Sequence, residues 1–149
     1  MLDIQKIDHI GIRVHEEKRA VSFYETLGFE VKWRGQFSKG HPIIMKHPNG
    51  IVINVLGPAN RPETTNILQD TKEKYAGFTH MALKVPSLSE ARDFMKQHEI
   101  TITEEFSFGT LKAFFIRDPD GNVIEFDEYP GEDPNTRQEN GQIESYKDH

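Results

Sequence analysis

Cysteine is absent from all 149 residues, which excludes disulfides, zinc ribbons, thiolate nucleophiles and iron–sulfur clusters and fits a reducing compartment. Any metal has to be held by nitrogen and oxygen donors. Also missing is an apolar run approaching the roughly 18 residues of a membrane helix. The start MLDIQKIDHIG has no basic stretch followed by a long apolar one, as a secretory signal would. The expectation is a cytoplasmic protein with no membrane partner. A cationic stripe is lacking as well: 18 Lys and Arg are scattered among 24 Asp and Glu, for a formal net charge of −6. Nucleic acid is therefore excluded as an expected partner, and a small molecule takes its place. The length is enough for one domain that buries a hydrophobic centre without covalent staples.

What the sequence does contain is an internal repeat, and a repeat decides the fold before any single residue does. Shifting the chain by 71 positions, without a gap, places His9 on His80, Val14 on Val85, Ala20 on Ala91, Phe23 on Phe94, Phe37 on Phe108, Pro48 on Pro119 and Gly50 on Gly121. Apolar positions also fall on apolar ones: Ile12 on Leu83, Phe29 on Ile100, Val31 on Ile102, and Ile43-Ile44-Met45 on Phe114-Phe115-Ile116. We read residues 1–130 as a single domain of two copies, 5–57 and 77–129, joined by a connection at 58–76.

Each copy follows one plan. Ile7–Val14 and Phe78–Val85 are rich in β-branched types and alternate in part, as strands do. Glu16–Leu27 carries Ala20, Phe23, Tyr24 and Leu27 at helical spacing and stops at Gly28, which suits a left-handed cap. In the second copy Ser87 starts the helix, Glu90 completes a capping box, and Ala91, Phe94 and Met95 form the apolar face. Three short strands follow, near 29–36, 41–47 and 50–56, then 100–107, 111–117 and 122–128. His47-Pro48-Asn49-Gly50 and Asp118-Pro119-Asp120-Gly121 supply the Asn-Gly and Asp-Gly signals of hairpin turns. The unit is βαβββ, twice, an α+β fold. Within the connection a short helix is expected near Asn66–Tyr75. The polar tail from Gly131 to His149 is expected to be flexible unless it docks on another subunit.

The repeat singles out four positions. His9 and Asn54 occupy the first and last strands of copy one, 45 residues apart, and His80 and Glu125 hold the equivalent places at the same spacing. If the copies pair about a pseudo-twofold axis, two imidazoles, a carboxylate and an amide face one another. Two histidines and a carboxylate leave open positions on Fe, Mn, Ni, Co or Zn. A substrate that binds there through two neighbouring oxygens has its oxyanion stabilised by a Lewis acid. Glu125 lies between apolar Ile124 and Phe126, and a carboxylate buried in such surroundings is costly unless something pairs with it. Asn54 is open between a direct ligand and a hydrogen-bonding neighbour.

Three segments carry a resemblance to a known family: Asp8-His9-Ile10-Gly11-Ile12 with Ser22-Phe23-Tyr24, Thr79-His80-Met81-Ala82-Leu83, and Asp118-Pro119-Asp120-Gly121-Asn122-Val123-Ile124-Glu125-Phe126. Over about residues 5–129 the chain resembles the vicinal oxygen chelate superfamily, which includes glyoxalase I, bleomycin resistance proteins and extradiol dioxygenases. The resemblance implies a curved, mostly antiparallel eight-stranded sheet from paired βαβββ modules. It implies one divalent metal ion per site, held by His9, His80 and Glu125, and a homodimer, with modules paired within a chain or by exchange. Asn54 falls where glyoxalase I has a ligating glutamate.

Three activities follow as expectations. The first is a glyoxalase I-like lyase or isomerase in which Glu125 is the catalytic base. The runner-up is an Fe(II)-dependent extradiol-type dioxygenase, against which the short chain counts. The third is a metal-free ligand-binding or resistance protein. A fosfomycin transferase is disfavoured because Gly11 stands where a threonine is expected. Phe106, Phe108, Phe114 and Phe115 are open between substrate pocket and core, as are Trp33 and Tyr129; Arg13, Arg34, Lys112 and Arg117 are open between anion binding and a solvated strand face. His15, His41, His47 and His98 are read as exposed turn or helix-end residues.

Overall fold

The computed structural model describes residues 1–131 and 133–136. Its elements in chain order are β1 (Ile10–Arg13), α1 (Glu17–Thr26), β2 (Glu30–Arg34), β3 (Ile43–Lys46), β4 (Val52–Leu56), β5 (His80–Lys84), α2 (Leu88–Gln97), β6 (Glu104–Phe108), β7 (Leu111–Arg117) and β8 (Val123–Glu128). The strands form two four-stranded sheets, ordered β1-β4-β3-β2 and β5-β8-β7-β6. The βαβββ plan is present twice, in the same order. In the first sheet β1 runs parallel to β4, while β3 is antiparallel to both β2 and β4.

By compactness the chain falls into two units, Met1–His80 with Arg117–Ile124, and Met81–Ile116 with Glu125 onward. The first centres on Ala20 and Tyr24 of α1, packed with Ile43, Met45, Ile53 and Val55, none of which reaches solvent. Strand alternation explains the choice: along β4, half-buried Val52, Asn54 and Leu56 interleave with buried Ile53 and Val55. The second buries Leu88 and Met95 of α2 with Phe114, Ile116, Phe126 and Ala113.

The two copies match in backbone detail. α1 ends with Gly28 N–H donating to the Glu25 carbonyl and Phe29 N–H to that of Tyr24, and α2 repeats the pair with Glu99 to Lys96 and Ile100 to Met95. Gly28 takes a left-handed φ of 103° there, as its place in the sequence predicts, and Glu99 is pushed to 57° in the same role. The hairpin turns also match: Gly50 donates to His47 and Gly121 to Asp118, and Asp118 N–H reaches Asn122 just as His47 N–H reaches Ile51. The Ser87 cap is borne out, its Oγ accepting from Glu90 N–H at 3.1 Å.

Two expectations are corrected. The first strands are shorter than Ile7–Val14 and Phe78–Val85. Ile10 pairs with Ile53, so anything before His9 would have to pair with the turn that precedes β4; Ile7 and Phe78 are exposed. The helix near Asn66–Tyr75 does not form. Asn66 accepts from the N–H groups of Gln69 and Asp70 through its carbonyl and from that of Leu68 through its side chain, and Thr71 Oγ donates to the carbonyls of Ile67 and Glu73. Short polar side chains that bond nearby backbone compete with a helix. At the start of the tail Lys84 pairs with Asp133 at 2.8 Å and Asn135 donates to the Tyr129 hydroxyl at 3.2 Å. Residues 137–149 lie outside the described ones.

Candidate functional site

β1 and β4 are in parallel register with Gly11 opposite Asn54. His9 stands immediately ahead of β1, two residues before Gly11. Its imidazole is half exposed, and Nδ1 lies 2.8 Å from the Asp8 carboxylate. That hydrogen bond holds the Asp8 carboxyl below its usual range and leaves Nε2 as the nitrogen with a lone pair to offer. In copy two His80 opens β5, is exposed, and pairs through Nδ1 with the Thr79 hydroxyl at 2.8 Å. The residue before each repeated histidine thus meets the same ring nitrogen, Asp8 as an acceptor and the Thr79 hydroxyl as either donor or acceptor. Asn54 is half-buried.

Glu125 is buried in β8, the neighbour of β5. The face it occupies follows from its flanking residues. Phe126 meets Phe114 with ring centroids 5.5 Å apart, and the Arg92 guanidinium of α2 lies over Phe114 at 5.9 Å. Phe114 and Phe126 therefore look toward α2, and Phe115 and Glu125, one residue away on each strand, look to the opposite face. There Phe106 stacks on Phe115 at 5.6 Å, and Phe106 and Phe108 are 40% and 51% exposed. Phe114 is core; Phe106, Phe108 and Phe115 form an apolar surface on the carboxylate's side. Trp33 is exposed on β2, and Tyr129 lies against the Lys84 ammonium.

Among the described residues no group of three or more His, Asp and Glu stands in an arrangement that could hold a metal ion. The other candidate cations divide. Arg117 grips Asp70 with two bonds of 2.8 Å, which draws that carboxyl down to about 2, and Arg34 pairs with Glu17. Lys112 lines a cleft of about 420 Å³ with Arg92, Ser89, Glu105 and Phe106. The Arg13 backbone carbonyl accepts from the Asn122 amide at 3.1 Å.

Two of the histidines read as exposed are not. His47 packs on the Phe29 ring at 5.4 Å. His15 is folded onto the Asp118–Gly121 turn, its backbone N–H and ring Nδ1 both reaching Asp120 Oδ1, at 2.9 and 2.5 Å. His41 and His98 are exposed as expected. The turn buries two carboxylates. Asp118 accepts from the Tyr24 hydroxyl at 2.8 Å, from the Asn122 amide, and from the backbone N–H groups of Asp120 and Asn122. Burial, opposed by those bonds, raises the Asp118 carboxyl. Burial beside Asp118 pushes the Tyr24 phenol well above its ordinary value. Reading Asp-Pro-Asp-Gly only as a turn signal missed this network. The available clue was the repeat, which sets Asp118 on His47 and Asp120 on Asn49.

Among the described residues no helix is long and apolar enough to cross a membrane. The chain is 24% identical over 133 residues to the glyoxalase domain-containing protein RDO1 of Mycosarcoma maydis, an alignment covering 86% of this chain and 70% of that one. Among solved structures it resembles a glyoxalase family protein from Enterococcus faecalis, with TM-score 0.69, 24% identity and coverage of 85% of this chain and 100% of the other. It also shares its fold with TnmS3, an antibiotic binding protein from Streptomyces sp. CB03234, with TM-score 0.66, 14% identity and coverage of 87% and 99%. Residues 6–126 match the Glyoxalase/Bleomycin resistance protein/Dioxygenase superfamily, and the chain belongs to it.

Proposed function

We propose that this chain is a divalent-metal-dependent enzyme of glyoxalase I-like lyase or isomerase type, with His9, His80 and Glu125 as metal ligands and Asn54 beside them. The observation that carries the reading is the duplicated histidine: in each copy it stands at the head of the first strand, with Nδ1 engaged by its preceding neighbour. Partners of that kind orient ligand histidines toward a metal through the other nitrogen. By donor type alone, two imidazoles and a buried carboxylate suit Ni, Zn, Co, Mn or Fe, although among the described residues they are not gathered into a metal-holding arrangement. A bound ion would supply Lewis-acid polarisation of two neighbouring substrate oxygens.

The protein's own groups do the rest. Glu125 would take a proton from the carbon beside the substrate carbonyl and return it, and its apolar neighbours Ile124 and Phe126 flank it on the strand. Asn54 carries no proton to exchange at neutral pH, so the reaction has a single base. The Phe106–Phe115 surface receives the apolar part of the substrate. A homodimer in the cytoplasm is part of the same proposal. The Phe106–Phe115 stack also favours a second reading, metal-free binding of an apolar molecule, in keeping with the antibiotic binding described for TnmS3.

Incubating metal-loaded protein with a 2-oxo or 2-hydroxy substrate in deuterated water tests the first reading. Deuterium should enter at the carbon beside the carbonyl, and Glu125→Gln should slow this by about 100-fold or more. Oxygen uptake with catechols in the presence of Fe(II), without such exchange, would replace the proposal with ring cleavage.

A further inference from the structure

Three separate segments meet at His15: the exit of β1 that carries it, the turn ahead of β8, and the connection between the copies. Its Nδ1 faces Asp120 Oδ1 at 2.5 Å, and its Nε2 faces the backbone carbonyl of Arg61. Both partners are acceptors, so both ring nitrogens have to donate, which only the imidazolium can do. Arg19 of α1 shares Asp120 Oδ1 at 2.7 Å, while Asp120 Oδ2 is buried with no hydrogen-bond partner among the described residues. The Asp120 side chain is 2% exposed and that of His15 19%. The charged groups around the ring are Asp120 from the turn and Arg19 from α1; the connection contributes the Arg61 backbone carbonyl. Glu16 follows on its own segment, and Asp118 and Tyr24 are joined to Asp120 through the turn. The repeat supplies no counterpart: His15, Arg19 and Asp120 align with Pro86, Glu90 and Asn49.

We propose that His15 is a proton-gated clasp that holds the connection at Arg61 onto the Asp118–Gly121 turn and releases it when the imidazole loses a proton. A neutral ring keeps its one proton on Nδ1, because the Asp120 carboxylate is the stronger acceptor. Nε2 then presents a lone pair to the Arg61 carbonyl, and that contact turns repulsive. On either side of Arg61 the connection is held by Ala59 N–H on the Val14 carbonyl and by the Asn66 amide on that of Gly121, with Asp70 gripped by Arg117 further on and the Thr64 carbonyl close against Gly121, so the stretch from Asn60 to Glu63 around Arg61 is the part set free. Hydrogen bonding to Asp120 raises the His15 titration from its ordinary value of 6.5, with burial opposing it. Release therefore comes as pH rises through the raised value.

Proton-detected titration of His15, combined with amide hydrogen exchange of residues 60–63 at several pH values, tests the clasp on the intact chain. The ring should titrate above 6.5, and exchange corrected for intrinsic pH dependence should rise about tenfold across that titration, as loss of one charge-assisted hydrogen bond requires. His15→Asn keeps a donor for Asp120 but none for Arg61, and should exchange fast at every pH. Asp120→Asn should bring the ring back to 6.5 or lower. Titration at or below the ordinary value in the unsubstituted protein, or exchange that ignores it, would overturn the proposal.

Discussion

The hairpin turn of copy one, His47–Gly50, and that of copy two, Asp118–Gly121, share their backbone hydrogen bonds and differ in what their side chains do. In copy one His47 rests on the Phe29 ring and Asn49 is exposed. In copy two both aspartates are buried, Asp118 accepting from Tyr24 and Asn122 and Asp120 engaging His15 and Arg19 through Oδ1. A duplicated backbone fixes where a side chain stands; the partners it meets decide whether it packs, clasps or reacts. The same division separates Asn54 from Glu125, one neutral and one able to carry a proton, at equivalent places on β4 and β8.

The largest expected difference between the turns comes from emptying them. Asp118→Ala leaves the Tyr24 hydroxyl and two backbone N–H groups without their acceptor and should cost about 3–5 kcal/mol in urea unfolding. His47→Ala removes one ring contact and should cost about 1 kcal/mol. Equal losses would erase the contrast. A smaller effect belongs to Arg117 and Asp70. Because the folded carboxyl titrates at about 2, below the unfolded value of 3.8, the pair contributes above pH 3.8 and its contribution fades as pH falls toward 2. With both side chains about a third exposed, screening holds this to about 1 kcal/mol. Asp70→Asn should flatten that part of an acid stability profile. The smallest effect sharpens the match between helix ends: Glu99→Gly gives α2 the residue that α1 has at Gly28 and should stabilise by about 0.5–1 kcal/mol in thermal unfolding.

Much of this was legible in the sequence because it is periodic or local. The 71-residue repeat carried the βαβββ plan, and Gly28, Ser87 and the two X-Gly turns marked boundaries that the backbone respects. What escaped was the pairing of residues far apart in the chain. Tyr24 with Asp118 and His15 with Asp120 span 94 and 105 positions, and no local pattern announces such partners. The 66–75 segment failed for a different reason: Asn66 closes one turn as a helix start would, but the Thr71 hydroxyl reaches the Ile67 and Glu73 carbonyls that a continuing helix would give to backbone N–H groups. At the candidate site the sequence marked His9, His80, Asn54 and Glu125 by position, and the fold sets them at matching heads and centres of strands.

The most direct measurement of the metal-enzyme reading is metal content per chain in protein purified without chelators, for the unsubstituted chain and for His9→Ala, His80→Ala, Glu125→Ala and Asn54→Ala. The account predicts about one ion per chain in the first, loss of it in each of the next three, and retention with weakened binding in Asn54→Ala. A full complement of metal in His9→Ala or His80→Ala, or none in the unsubstituted chain after exposure to Ni, Zn, Co, Mn and Fe, would contradict it.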